Sequence, residues 1–187
     1  EAALETAKRV RDLYPGAEIF RRARRISDGT PYDDTGTLLR RLFAENRPII
    51  GICAAGILIR LLAPGLSSKT NEPPVLALSE DGQVVVPLLG GHNGANQMAG
   101  EIADCLRGSA ALTTATDRRY GVALDDPPPG WVLANPEDAK SFFAALLAGE
   151  NVRLLSEADW LTGSDLPIDP DGKLTIEVSE TIQVGTA

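Results

Sequence analysis

The chain is predicted to fold as an α/β protein: a three-layer domain with a largely parallel sheet, followed by a small α/β extension. Three observations predict it. Short apolar runs alternate with helix-period segments along the 187 residues, the pattern of strands joined by crossover helices. Residues 48–53 are almost uninterruptedly apolar, as a parallel strand covered on both faces requires. Three loops that leave apolar runs, 53–56, 90–96 and 113–117, are rich in Gly, Asn or Thr.

The elements follow in order. Ala3, Ala7, Val10 and Leu13 share one face of a helix over 2–13. Residues 17–20 are a short strand candidate, followed by Arg21, Arg22, Arg24 and Arg25, which read either as a solvated edge or as a carboxylate-binding rim. Asp33 or Thr35 is the expected cap of a helix through Ala44, with Leu38, Leu39, Leu42 and Phe43 facing the core. The strand 48–53 leads to a helix through Leu62 that Pro64 ends. Asp81-Gly82 between the apolar runs 75–78 and 84–88 is a hairpin signal. Ala95, Met98, Ala99, Ile102, Ala103 and Leu106 make a clean helical stripe, and 110–113 is the next strand. Residues 125–130 read as a linker, which sets the expected domains at 1–124 and 125–187. Beyond it lie a strand at 131–134, a helix opened by Asn135-Pro136, a strand at 152–155, a turn-rich stretch and an edge strand at 174–178.

Composition narrows the function. With 18 Lys+Arg against 26 Asp+Glu the net charge is -8, which argues against a general nucleic-acid binder. The longest apolar-leaning run, 48–62, carries Arg60 and is too short to span a bilayer, so no membrane association is expected. Cys53 and Cys105 form no CxxC pair and read as two buried reduced thiols, in keeping with a cytoplasmic protein. One histidine and two separated cysteines make a protein-only zinc site improbable. A helix pattern starts at once after Glu1, so a further strand is expected upstream.

The most informative segment is Gly90-Gly91-His92-Asn93-Gly94-Ala95-Asn96. Its glycines allow close approach of backbone to a ligand, and it feeds a helix N-terminus that favours an anion. It fits neither the dinucleotide fingerprint nor the P-loop. His92 is either a functional group or a loop-packing residue. Thr113-Thr114-Ala115-Thr116-Asp117 offers hydroxyls and a carboxylate, as ligand contacts or as a cap. The 51–56 turn is either a tight turn with close helix packing or a third wall of the same site. If the strands are all parallel, the three loops share one rim and line one cleft.

These residues resemble the cobalt-precorrin-5A hydrolase family, CbiG, of cobalamin biosynthesis. Gly90-Gly91-His92-x-Gly94-Ala95-Asn96 and Thr113-Thr114-Ala115-Thr116-Asp117 carry the resemblance, with Gly56-Ile57, Arg60, Pro64, Lys69 and Pro74-Val75 in support. The resemblance runs from about Pro48 to Leu155. It implies opening of the δ-lactone of a ring-contracted cobalt tetrapyrrole, with release of acetaldehyde. It implies a substrate site lined by Gly91, His92, Gly94, Asn96, Thr114, Thr116 and Asp117. By residue chemistry His92 and Asp117 are the candidate catalytic pair, and Gly56, Asn93 and the local positives Arg60 and Lys69, which would meet the carboxylates of such a substrate, complete the candidate substrate-binding set. No cofactor and no protein-held metal are expected, because the cobalt arrives with the cobalt-precorrin; His92 as an axial cobalt ligand is the alternative. Residues 127–131 and 135–140 resemble the form fused to a precorrin-3B C17-methyltransferase, a fused or interacting partner, with this chain as its N-terminal portion. The alternative function is a non-catalytic module that holds a corrinoid intermediate for that methyltransferase; an unrelated phosphate- or nucleotide-binding protein is a more distant reading.

Overall fold

The computed structural model describes residues 2–22, 29–66, 72–113, 119–125, 127–128 and 130–179. The chain divides into two units, 1–112 and 113–187. The divide falls before the expected one at 124/125, because Tyr120 and Val122 are buried in the core of the second unit.

The first unit contains α1 (Ala2–Leu13), β1 (Phe20–Arg22), β2 (Thr30–Tyr32), α2 (Thr35–Ala44), β3 (Ile49–Ile52), α3 (Ala55–Leu62), β4 (Val75–Leu78), β5 (Val84–Leu89), α4 (Ala95–Leu106) and β6 (Ser109–Ala110). β4 is the centre. Its four residues are at most 3% exposed, because it is covered on both faces. Leu76 and Leu78 pack with Val85, Ile102 and Val10 beneath α1 and α4. Val75 and Ala77 pack with Leu39, Leu58 and Leu62 beneath α2 and α3. The result is the expected three layers. Gly51 lets α3 lie close on the sheet: a Cβ there would come within 2.8 Å of both Leu58 methyl groups. The cap of α2 is Asp34, not Asp33 or Thr35. Asp34 has extended backbone and accepts from the Thr37 N–H at 2.7 Å and the Thr37 hydroxyl at 2.6 Å.

The sheet order is β3-β4-β5-β6, with β3 parallel to β4, β4 antiparallel to β5, and β5 parallel to β6. Parallel pairing prevails, but the hairpin reverses the chain in mid-sheet. It is a well-made turn: the Asp81 carboxylate accepts from Ser79 Oγ at 2.6 Å and from the Gln83 N–H at 3.0 Å, and Gly82 has φ +73°. The three loops therefore do not share a rim. The exits of β5 and β6 lie at one end of the sheet, and the exit of β3 lies at the other.

The expected strand at 110–113 is shorter and earlier. Ser109 and Ala111 donate to the Gln83 and Val85 carbonyls, and the next donor from β5 to β6 would be residue 87. That residue is Pro87, which has no N–H, so the ladder stops. The strand expected at 17–20 starts only at Phe20 and pairs in parallel with β2, which was not expected from Thr30-Pro31-Tyr32. Arg21 and Arg22 lie in β1, while Arg24 and Arg25 lie outside the described residues. Both cysteines are free and half-buried, not fully buried as expected.

The second unit contains α5 (Pro136–Leu147), β7 (Val152–Leu154), α6 (Asp159–Thr162) and β8 (Leu174–Ile176). β7 and β8 pair in parallel over a core of Tyr120, Leu146, Val152, Leu161 and Leu166. The buried Tyr120 hydroxyl donates to the Leu146 carbonyl at 2.8 Å, tying residue 120 to the end of α5. Residues 131–134 form no strand; Trp131 packs instead against Trp160, with ring centroids 6.3 Å apart. Asn135 precedes α5 as expected, but its side-chain amide donates to Asp138 and does not cap the helix backbone.

Candidate functional site

The site is built around the turn between β5 and α4. Gly90 sits at φ +73°, and a Cβ there would lie 2.6 Å from the Pro73 carbonyl oxygen, so only glycine fits. Its own carbonyl accepts from the Asn93 N–H at 2.9 Å and the Ala95 N–H at 3.1 Å. Those two bonds wind Gly91–Asn93 into a single 3-10 turn. Gly94, at φ +90°, then redirects the chain into α4 with no side-chain cap and no acidic residue in the first turn. The partial positive charge of that helix end is thus left uncompensated within the helix.

Asn93 fastens the turn. Its side-chain amide donates to the Glu72 carbonyl at 2.7 Å, just before β4. The Asn96 amide lies 4.0 Å from the position a Gly91 Cβ would take, and nothing among the described residues lies within 4 Å of that position at Gly94. Among the described residues the backbone is therefore uncrowded at Gly91 and Gly94, and Gly91, Asn93, Gly94 and Asn96 all lie in or beside this one turn. The backbone of His92 is in this turn; its side chain lies outside what the structure describes. Lys69, Thr114, Thr116 and Asp117 also lie outside the described residues. The first unit ends at Leu112, just after β6, at the same end of the sheet as the Gly90 turn.

Gly56 is placed elsewhere. It opens α3 at the exit of β3, the opposite end of the sheet, because the hairpin reverses β5. Arg60 is exposed on α3 and its guanidinium donates back to the Gly56 carbonyl at 3.1 Å. Arg119, in the second unit, donates to the Leu147 carbonyl at 3.0 Å and lies over the Tyr120 ring.

The exits of β3 and β4 open into a cleft of about 560 Å3 that sequence reasoning missed. Cys53, Ala55, Ser79, Glu80 and Ala3 are among its walls. The signal was present: an Asp-Gly hairpin between two strands forces their loops to opposite ends. Burial raises the Cys53 pKa, so the thiol is protonated at neutral pH and is a poor nucleophile. No group of three His, Cys, Asp or Glu among the described residues could hold a metal ion. No helix among them is long and apolar enough to cross a membrane.

Fold and turn together define a class: a three-layer α/β unit that presents an open glycine turn ahead of an uncapped helix N-terminus. Residues 37–117, from α2 through the β6 exit, match the family of cobalamin synthesis G N-terminal domains. It is similar to the cobalt-precorrin-5A hydrolase of Priestia megaterium, 31% identical over 124 residues, covering 65% of this chain and 33% of that protein. The cobalt-precorrin-5A hydrolase of Salmonella typhimurium is 40% identical over 87 residues, covering 46% of this chain and 25% of that one. The chain thus spans a third or less of the length of these relatives. A solved cobalamin biosynthesis protein G homolog from Sulfolobus solfataricus aligns with a TM-score of 0.44 and 22% identity, over 84% of this chain and 47% of that chain.

Proposed function

We propose that the chain serves cobalt-precorrin-5A hydrolysis: opening of the δ-lactone of the cobalt tetrapyrrole and release of acetaldehyde in cobalamin biosynthesis. The observation that carries this reading is the open 91–94 backbone at the α4 N-terminus, inside the segment that matches the family. Lactone opening needs an activated water and donors for the developing oxyanion. Backbone N–H groups of 91–94 are the donors in this reading, and His92 is the general base, the side chain whose ordinary pKa lies nearest neutrality. Asn93 and Asn96 offer amides to the substrate edge. Asp117, Thr114 and Thr116 are assigned to the same substrate by the family resemblance alone.

The substrate carries many carboxylates, whereas the protein's net charge is -8. Local positives must meet them. Arg60, Lys69 and the arginines at 21–25 are the proposed partners. Arg60 would have to exchange its bond to the Gly56 carbonyl for one to a carboxylate. The missing Cβ at Gly56 leaves room for the guanidinium to lie close to α3, since a Cβ there would approach it to 2.9 Å. Cobalt is part of the substrate, and no cofactor is required. A cytoplasmic setting and a fused or interacting precorrin-3B C17-methyltransferase complete the proposal. Acetaldehyde formed from cobalt-precorrin-5A by the purified chain, above a heat-inactivated control, supports it; its absence refutes it for this chain.

A further inference from the structure

The start of α4 is uncapped although a side chain suited to cap it stands close by. Gly94 precedes the helix, which makes Gln97 its third residue. From that position a Gln or Glu ordinarily reaches back to the free N–H groups at the helix start. Such a group is present: among the described residues the Gly94 N–H bonds to nothing, and nothing lies within 4 Å of the position of a Gly94 Cβ.

The Gln97 amide is engaged elsewhere. It donates to Glu101 Oε1 at 2.8 Å, one turn further along α4. A carboxylate only accepts, so the amide nitrogen is the end that is held. The Tyr14 hydroxyl donates to the other oxygen, Glu101 Oε2, at 2.7 Å. Tyr14 directly follows α1, its N–H donates to the Val10 carbonyl at 3.1 Å, and its ring packs against the core beneath α1 and α4. Burial, and then the Glu101 carboxylate beside it, pushes the Tyr14 pKa up, so the hydroxyl stays a donor at any working pH. An i, i+4 pair on a bare helix holds a side chain only weakly. Here the carboxylate is half-buried and is oriented by a residue anchored in the core, which makes the hold firm.

We propose that Glu101 is a positioning residue for the candidate site: fixed by Tyr14, it keeps the Gln97 amide turned away from the start of α4, so that the N–H groups there stay free for the substrate. This role rests on the 91–94 backbone being the oxyanion donors proposed above. Released from Glu101, Gln97 competes with the substrate from within the helix, because its amide oxygen is the kind of acceptor that those N–H groups would otherwise find in the ligand.

Inorganic phosphate, titrated while the 91–94 amides are followed by NMR, reads the open helix start without any hydrolysis; kcat/KM for acetaldehyde formation reads it in the reaction. Glu101→Ala should weaken phosphate binding and lower kcat/KM, each about five- to tenfold, the usual worth of a helix cap. Glu101→Ala combined with Gln97→Leu should restore both, which a mere loss of packing between α1 and α4 would not allow. Gln97→Glu keeps the bond from Tyr14 to Glu101 and serves if Glu101→Ala does not fold: repelled by Glu101 and drawn to the helix start, its carboxylate should weaken phosphate binding at least as much. A double variant as weak as Glu101→Ala overturns the proposal and leaves Glu101 a structural tie. So do a Glu101→Ala or Gln97→Glu variant that binds phosphate like the parent, and a parent whose 91–94 amides do not respond to phosphate. If the phosphate pattern holds while the parent forms no acetaldehyde, the positioning role stands and the hydrolysis reading falls.

Discussion

The Asn93 side-chain amide donates to the Glu72 carbonyl at 2.7 Å, and three residues earlier Gly90 presses its backbone against Pro73. The turn before α4 and the start of β4 are thus one fitted unit, and glycine is required in it for two separable reasons. At Gly90 both a positive φ and a close approach demand it; at Gly94 only the positive φ does. Left-handed backbone costs a non-glycine residue about 1–2 kcal/mol, and forced overlap adds a similar amount. Gly94→Ala should therefore cost about 1–2 kcal/mol and Gly90→Ala about 3 kcal/mol, measured by urea unfolding. Equal costs would mean that the contact with Pro73 relaxes freely.

Acid should weaken the first unit through two exposed carboxylates. The Ser79 hydroxyl, then the Gln83 N–H, hold the Asp81 pKa below the usual carboxylate range; the Thr37 hydroxyl, then its N–H, do the same for Asp34. A lowered folded pKa means that the stability contributed is complete above the unfolded value of about 3.9 and is lost as pH falls through the folded value. The Tm deficit of Asp81→Asn, and that of Asp34→Asn, should be largest near neutrality and should shrink as pH falls below the usual carboxylate range. A deficit that persists undiminished in acid would show that charge is not what these groups contribute.

Substrate carboxylates should be read by Arg60 and Lys69. Removing a hydrogen bond to a charged group costs about 1.5–3 kcal/mol, so Arg60→Gln with Lys69→Gln should weaken tetrapyrrole binding at least tenfold and flatten its salt dependence. An unchanged Kd at low and high salt would remove both residues from the site.

Much of this was legible in the sequence because it is local. The stripe Ala95, Ala99, Ile102, Ala103 and Leu106 became α4, each of them buried, and the Asp81-Gly82 signal became the hairpin. What failed was the combination of local signals. The hairpin and a single shared rim cannot both hold, since a hairpin reverses its second strand. Gly56 consequently parts from Gly91, although both loops looked alike. β6 was overrun because the missing donor belongs to Pro87, on another strand. The cap of α2 shifted to Asp34 because its backbone leaves the helix there, which neighbouring Asp33 and Thr35 do not reveal. Of the candidate site, 90–96 was readable from glycine spacing, whereas the bond from Asn93 to Glu72 joins residues 21 apart and has no sequence signature.

In the proposed function His92 serves chemistry and not stability. It lies in a turn whose own backbone bonds, from Asn93 and Ala95 to the Gly90 carbonyl, do not involve its side chain. His92→Ala should melt close to the parent, while acetaldehyde formation falls by about 10²–10⁴, the usual worth of a general base. A variant that unfolds, or one that turns over normally, would make His92 a structural residue of the turn.

In the proposed function, water activated at the Gly91–Asn93 turn opens a lactone. Reaction of cobalt-precorrin-5A with the chain in 18O-labelled water, followed by mass analysis of the tetrapyrrole product, tests it most directly. One heavy oxygen in the newly freed carboxylate, accompanied by acetaldehyde and abolished together with it in His92→Ala, is the predicted result. A product without acetaldehyde loss, or acetaldehyde formed with no label in the tetrapyrrole, would contradict it.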